Sequence, residues 1–490
     1  MQKPLEFRFD SFPAWDYTLA MKGNATTSDK RQRTITRVII LTSFCSSFLG
    51  SAVNIVVPAM SADLAVSAGA IGWVITVYSL ATCGLSVPFG KLADSTGKNR
   101  VFLLGLSLLC LSSLACFLVT SFPLMLLFRC LQGVGASMIF ATNTAIIVAA
   151  HPQEQRGRAI GRMLSGTYVG LACGPVLSGI VSHWFGWHAI FLVVAIAVFI
   201  ALIPAVIHLP WHEDLSLQGP VQPLDKKKKQ DAAGCILFIV MITCSMFGFA
   251  SIGTGWWPYL LILCGIGLGI LFVRTELAAA DPIIDVRIFR SSPAYTLSNL
   301  AALFNYAAIF GIGYFTSLYL QLDKGLDSQT AGLFLICQPL VMALFTSRAG
   351  ALSDRIAPYK LGTTGMGLCA ASLVLFALVS HSTPLWVIVC GLLIAGFGVA
   401  VFSSPNMNAI MSCVDKSHYG VASSILATMR TLGQTSGIAI TTIVVNARLG
   451  ALTLQQASTE QFESAMHISF WIFTAICVCG MFMSLKRKDS

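Results

Sequence analysis

Uninterrupted apolar stretches of close to twenty residues recur between residues 38 and 484. Such stretches leave the chain few folds, because hydrocarbon offers backbone polar groups no partner and each segment must satisfy its own. A helix crosses the bilayer core with about 20 apolar residues, whereas a membrane barrel shows short alternating strands. Composition agrees. Of 490 residues, 56% are hydrophobic and 11% charged, against about 25% charged in a soluble domain. Mean hydropathy is +0.77. A disordered chain, a collagen-like chain and a soluble enzyme of this length are excluded, and an all-α integral membrane protein is expected. The 15 cysteines fall almost entirely in apolar runs with no CxxC pair, so neither a disulfide framework nor a metal site is read from them.

Fourteen spans follow from the hydropathy: 38–59, 70–89, 101–119, 122–149, 159–182, 189–208, 233–252, 257–273, 296–319, 330–350, 361–380, 385–411, 419–446 and 466–484. The first run is too long for a signal-peptide core, so 1–37 reads as a polar tail. Lysine and arginine set direction, because cytoplasmic loops are enriched in them. Of 31 such residues, Lys324 and Arg448 fall on the outer side, Arg129 and Arg430 lie within spans, and the other 27 share one side. This asymmetry predicts an even span count with both termini cytoplasmic. It also accounts for the net charge of +10: basic residues, including Lys226–Lys229, set topology and face anionic lipid rather than nucleic acid.

An internal repeat predicts the architecture. Gly90-x-Leu92-Ala93-Asp94 reappears 260 residues on as Gly350-x-Leu352-Ser353-Asp354. At a constant offset of 263, Gly133 pairs with Gly396, Gly135 with Gly398, Asn143 with Asn406, Gly157 with Gly420, Gly170 with Gly433 and Gly174 with Gly437. Two homologous six-helix bundles are expected, 38–208 and 296–485. Linkers at 209–295 carry an inserted helix pair, 233–273, and a short tail follows at 486–490. Parallel halves of this kind are a transporter architecture, with the substrate near the midplane where they meet.

The loop from Gly90 to Arg100 joins the second and third spans. Its glycines allow a tight reversal, and Asp94 can pair with a neighbouring helix N-terminus or a basic residue. It reads either as a gate or as a plain topological turn. This stretch resembles the loop signature of the major facilitator superfamily, with Ser95 where the signature has a basic residue. In span four, Arg129-x-x-Gln132-Gly133-x-Gly135 puts a guanidinium inside hydrocarbon, which costs at least ~2.5 kcal/mol and marks function by default. It resembles the family motif whose arginine assists proton transfer. A tie to Gln132 or to backbone carbonyls is the other reading. Gly166, Gly170, Gly174-Pro175 and Gly179 resemble the family's antiporter motif in span five, with Ser178 replacing one glycine; helix packing also explains such glycines. Asn54-Ile55-Val56-Val57-Pro58, Asp281–Phe289 and the fourteen spans together resemble the fourteen-helix drug/proton antiporter branch.

That branch carries an aspartate at the position of Leu49 here, and none of the 21 acidic residues lies in mid-membrane. A proton carrier would then be Asp94, a histidine such as His188, or absent. Uncharged side chains that donate and accept, namely Asn54, Asn143, Asn305, Gln338, Asn406 and Gln434, with the aromatic rings of Tyr168 and Tyr306, are the expected cavity contacts. Gly90, Asp94, Arg100, Arg129, Gln132, Gly174, Pro175 and Asp354 are the expected gating and coupling residues. Arg430, with no buried acid as partner, tilts the interior towards neutral or anionic substrates. No P-loop, metal-ligand cluster or nucleophile with a base is present, so no cofactor is expected and neither an enzyme nor an ATP-driven pump is read. The expectation is a monomeric plasma-membrane exporter of small organic molecules, coupled to protons by alternating access. Uptake by symport or facilitation, and a membrane sensor on the same fold, are the alternatives.

Overall fold

A computed structural model describes residues 14–66, 71, 73–209, 211, 231–252, 255–279, 282–326, 328–449 and 459–487; the side chains of 14–29, 54, 55, 58, 175, 232, 250, 328, 329, 446, 449 and 459 are outside it. Among the described residues there is no strand. The long helices are α1 (Ala14–Asp63), α2 (Trp73–Thr96), α3 (Lys98–Leu118), α4 (Phe122–Ala149), α5 (Arg156–Phe185), α6 (His188–His208), α7 (Ala232–Ala250), α8 (Trp257–Ala278), α9 (Pro293–Leu318), α10 (Thr330–Ser353), α11 (Pro358–Ala377), α12 (Leu385–Ser412), α13 (Tyr419–Leu449) and α14 (Thr459–Lys486).

Local chemistry sets the ends. Prolines open α4, α8, α9 and α11, where the missing N–H costs nothing. Asp231 caps α7 by accepting from the Gly234 N–H at 2.9 Å. Gly97 between α2 and α3 takes φ +112° and Gly186 between α5 and α6 takes φ +80°, backbone conformations that other residues rarely adopt. Leu118 and Phe185, 68% and 77% exposed, belong to an outward apolar surface that only lipid would cover.

Among the described residues, eleven helices are long and apolar enough to cross a bilayer, or twelve if the bent pair Gln153–Gly174 and Val176–Phe185 is one span. The 48° bend of that pair falls where the sequence has proline, which cannot donate to the helical ladder. The fourteen-span expectation therefore meets eleven or twelve candidates. Ala233–Phe249 is shorter than the others. The helix α13 is not among the candidates; it carries Ser423, Ser424, Thr428, Thr431, Thr435 and Ser436 besides Arg430, which lowers its hydropathy.

Packing repeats between the two ends of the chain. In the first half α1 packs on α5 and α6, and α4 on α2 and α3; in the second α9 packs on α13 and α14, and α12 on α10 and α11. The halves meet along α5–α10 and α13–α2, and α7 leans on α2 and α13 while α8 packs on α7. The glycines at offset 263 mark equivalent crossings. A Cβ on Gly133 would stand 2.7 Å from the Tyr78 carbonyl oxygen, and one on Gly396 2.5 Å from that of Gln338. Gly135 faces the Gly105 carbonyl at 2.9 Å, and Gly398 that of Gly365 at 2.8 Å. Gly166 and Gly170 of α5 press in the same way on the Ile40 and Phe44 carbonyls of α1. Small residues let backbones approach where no hydrophobic force drives helices together.

Candidate functional site

The halves close on each other at the bundle end that carries the α2–α3 and α10–α11 loops, and they do so twice with the same chemistry. The Asp94 carboxylate accepts from the Gly420 and Val421 N–H groups, both at 2.9 Å, at the start of α13. The Asp354 carboxylate accepts from the Gly157 N–H at 2.7 Å and the Arg158 N–H at 3.0 Å, at the start of α5. Each carboxylate of one half thus caps a helix N-terminus of the other, where orphan donors and the helix dipole favour negative charge. Burial pushes the Asp354 carboxyl above its ordinary value, and the two N–H groups pull it back.

The glycines beside the carboxylates make the closure tight. A Cβ on Gly90 would stand 2.7 Å from the Gly420 carbonyl oxygen, and one on Gly420 2.6 Å from that of Gly90. Gly157 and Gly350 face each other in the same way. Ser404 Oγ of α12 donates to the Gly157 carbonyl at 3.1 Å. Gly157→Ala should therefore hold this end apart: because the obstacle is backbone, transport should fall at least ~10-fold at unchanged expression. Wild-type rates in the purified variant would show that the contact is dispensable.

Ser95 leaves Asp94 without the adjacent basic residue of the signature. Lys98 stands further on, with Nζ 3.2 Å from the Asp94 carboxylate. Gly97, at φ +112°, interrupts the helix between them, and the reversal there brings the Lys98 ammonium back to the Asp94 carboxylate. Arg100 points elsewhere and donates from Nε to the Trp211 carbonyl at 2.7 Å.

Arg129 is 1% exposed. Its Nε donates to the Val74 carbonyl of α2 at 2.9 Å, and its guanidinium donates to Gln132 Oε1 at 2.8 Å. Gln132 Nε2 donates in turn to Ser113 Oγ of α3 at 2.8 Å, and the guanidinium lies 4.5 Å from the Tyr78 ring centre. The motif thus ties α2, α3 and α4 together without a carboxylate among these partners. Gly174 presses on Ser51 and Ala52 of α1, so the span-five pattern is a packing seam here. Pro175 lies outside the described side chains.

Between the halves lies a cavity of about 40 Å³ bordered by α1, α4, α5, α9, α12 and α13, room for roughly two or three waters. Asn143, Thr144, Tyr306, Met407, Ser423 and Arg430 line it. Thr144 and Met407, related by the 263 offset, meet across it at 3.7 Å, and Ser423 Oγ donates to the Phe140 carbonyl at 3.0 Å. The cavity thus sits on the pseudo-symmetry axis. Asn143 Nδ2 donates to Ser43 Oγ at 3.2 Å, while its buried Oδ1 has no hydrogen-bond partner among the described residues. Tyr168, buried, adjoins Tyr306.

Other expected contacts do not line this cavity. Asn406 spends both ends of its amide inside the second half: Nδ2 donates to the Ser298 carbonyl at 3.1 Å, and Oδ1 accepts from Arg487 at 2.7 Å. Arg487, with its pKa lowered to about 10 by burial, also donates to Ser298 Oγ at 3.0 Å. Asn305 faces Cys369 Sγ of α11 at 3.7 Å. Gln338 is buried on α10, where its carbonyl abuts Gly396. Gln434 is exposed on α13, one turn beyond Arg430. Asn54 lies outside the described side chains. Ser43, Thr144, Met407 and Ser423 were missed, and only the repeat offset could have singled out the Thr144–Met407 pair. Leu49, at the position of the branch's aspartate, is wholly buried in the apolar core. His188 stacks on Trp187 with ring centres 3.5 Å apart, and its Nε2 bonds the Val119 carbonyl at 3.1 Å.

A model of the Major Facilitator Superfamily matches residues 39–438 and 299–489. The chain belongs to the Major Facilitator Superfamily. It is a transporter of that type and not an enzyme. It is 29% identical over 459 residues to the riboflavin transporter RibZ of Clostridioides difficile, covering 93% of this chain and 97% of that protein. It is 28% identical over 412 residues to the multidrug resistance protein Stp of Mycobacterium tuberculosis, covering 81% and 73%. Among solved structures, the proton:xylose symporter XylE bound to 6-bromo-6-deoxy-D-glucose superimposes with a TM-score of 0.66 at 14% identity, over 94% of this chain and 96% of that one. At that identity the likeness is one of fold. In a Major Facilitator Superfamily transporter, two half-bundles gripping each other's helix ends beside an axial cavity are the parts that rocking requires.

Proposed function

We propose that this protein is a secondary active exporter of small organic molecules, driven by proton antiport through alternating access. The observation that carries the reading is the paired gate: Asp94 on the start of α13 and Asp354 on the start of α5 close one end of an axial cavity bordered by both halves. Opening these contacts and closing the opposite end would expose the cavity to each side in turn. Asn143, Tyr168 and Tyr306 are assigned to substrate contact. Gly90, Gly174 and Pro175 serve the gate and the bend; Arg100, Arg129 and Gln132 position the helices that move.

The names of the multidrug resistance protein Stp and of the drug efflux pump JefA of Mycobacterium tuberculosis, the latter 27% identical over 408 residues, favour export. The glycine pattern of α5 supports antiport by resemblance. All fourteen helices span in this reading, with α7 and α13 completing the set of the fourteen-helix drug/proton branch. Both termini then face the cytoplasm of a plasma-membrane monomer, as the distribution of lysine and arginine implies.

Purified protein in liposomes enclosing a pH dye tests the coupling. Adding a transported compound should move protons in the opposite direction. Substrate movement without protons would replace antiport by facilitation. Binding with neither movement would leave a sensor.

A further inference from the structure

The axial cavity holds one charge, and it is positive. Arg430 of α13 lines it, and none of the lining residues is a carboxylate. Among the described residues the structure gives Arg430 no ion pair and no hydrogen bond; its guanidinium lies 5.4 Å from the centre of the Phe140 ring. Arg430 is half-buried, and the two buried arginines differ from it. Arg129 is held by Val74, Gln132 and Tyr78, and Arg487 by Ser298, Asn406 and Ser484. The charge is also one-sided, because the position 263 residues earlier is Thr167, which lines the same cavity. An arginine at membrane depth is costly unless something pairs with it. Here the remaining polar groups on the wall are one amide, hydroxyls and a phenol, which orient a ligand and carry no negative charge to pair with the cation.

We propose that this cavity, enlarged when the halves part from this closed state, binds organic anions, with Arg430 engaging a carboxylate or sulfonate and the Phe140 and Tyr306 rings flanking its apolar body. A planar fork of donors matches such groups. The inference rests on the transport reading for its purpose but not for its test. It also gives the loss of the acid at Leu49 a physical sense: a carboxylate in this interior would repel the ligand that the arginine holds. Exchange of a monoanion for a proton moves net charge, whereas exchange of a monocation for one proton does not.

The test uses three probes of one shape and different charge: 2-naphthoate, 2-naphthamide and 2-naphthamidinium. Equilibrium binding is measured on the purified full chain, and flux of the same probes is measured in liposomes. Wild type should bind naphthoate at least about tenfold more tightly than the amide, and the amidinium least. Arg430→Gln should remove that preference while leaving naphthamide binding within about twofold, and Arg430→Lys should keep part of it. Should Arg430→Gln fail to fold, Thr167→Asp provides the same reading by placing a carboxylate on the opposite wall: naphthoate binding should collapse and amidinium binding appear. Equal or absent binding of the three probes, preference for the cation, or an anion preference that survives both Arg430→Gln and Thr167→Asp would overturn the proposal. Anion-selective binding without flux would uphold the site and remove the exporter reading. In liposomes that transport, an electrical potential negative on the naphthoate-loaded side should speed its exit, and indifference to potential would count against anion exchange.

Discussion

Asp94→Ala should cost most of the transport activity while leaving a folded, inserted protein. The carboxylate accepts two N–H bonds at 2.9 Å from the start of α13 and lies 3.2 Å from Lys98. Hydrogen bonds to a charged group contribute about 1.5–3 kcal/mol each. They exist only while this end is closed, so their loss falls on the equilibrium between conformations rather than on folding of either half. A bias of about 3 kcal/mol is roughly a hundredfold in population. Asp354→Ala should act in the same direction through Gly157 and Arg158. Its effect should be smaller, because among the described residues Asp354 has no ion pair like that of Lys98 with Asp94, only the more distant charge of Arg158. The double variant should transport at background level. Liposome flux normalised to folded protein measures all three, and a double variant running at wild-type rate would show that these contacts are not a gate.

Arg129→Ala should behave differently, with stability falling first. Removing the side chain orphans Gln132 Oε1 and strips the helical Val74 carbonyl of its second partner at a site that is 1% exposed, and a buried orphan costs about 1–3 kcal/mol. The tie between α2 and α4 is then lost in both conformations. Thermal unfolding of the purified protein should shift down clearly, with transport falling in step with the folded fraction. Arg129→Lys should rescue little, since one ammonium cannot reproduce the fork that reaches Val74 and Gln132 together. A variant of unchanged thermal stability that loses only the flux driven by a pH gradient would move Arg129 from a structural tie to the coupling machinery.

Much of the packing was legible in the sequence because glycine spacing is a direct record of backbone approach. The offsets of 260 and 263 name real crossings: Gly133 on Tyr78 and Gly396 on Gln338 are the same contact in the two halves. The amides were less legible. Asn143 and Asn406 are repeat mates, and each turns its Nδ2 towards the first helix of its own half, to Ser43 Oγ and to the Ser298 carbonyl. Only Asn143 lines the cavity, because Arg487 from the end of the chain occupies the Asn406 carbonyl. Sequence reveals an amide's donors and acceptors but not which neighbour claims them, and here the claimant lies 81 residues away. The Ser95 position shows the same limit: the ammonium that reaches Asp94 comes from Lys98, beyond the turn at Gly97, and not from the neighbouring residue.

The central claim, that two half-bundles rock about a gate at this end, is tested most directly by a distance across it. Ser95 at the end of α2 and Lys416 just ahead of α13 are both exposed and lie on opposite sides of the contact. Spin labels carried there on unnatural amino acids leave the native cysteines untouched. The pair should show a short separation in the resting protein and a second, longer one that gains population when a transported compound is added, and Asp94→Ala should favour the longer one without any compound. A single separation, unchanged by compound or by Asp94→Ala in protein that transports normally, would contradict the account.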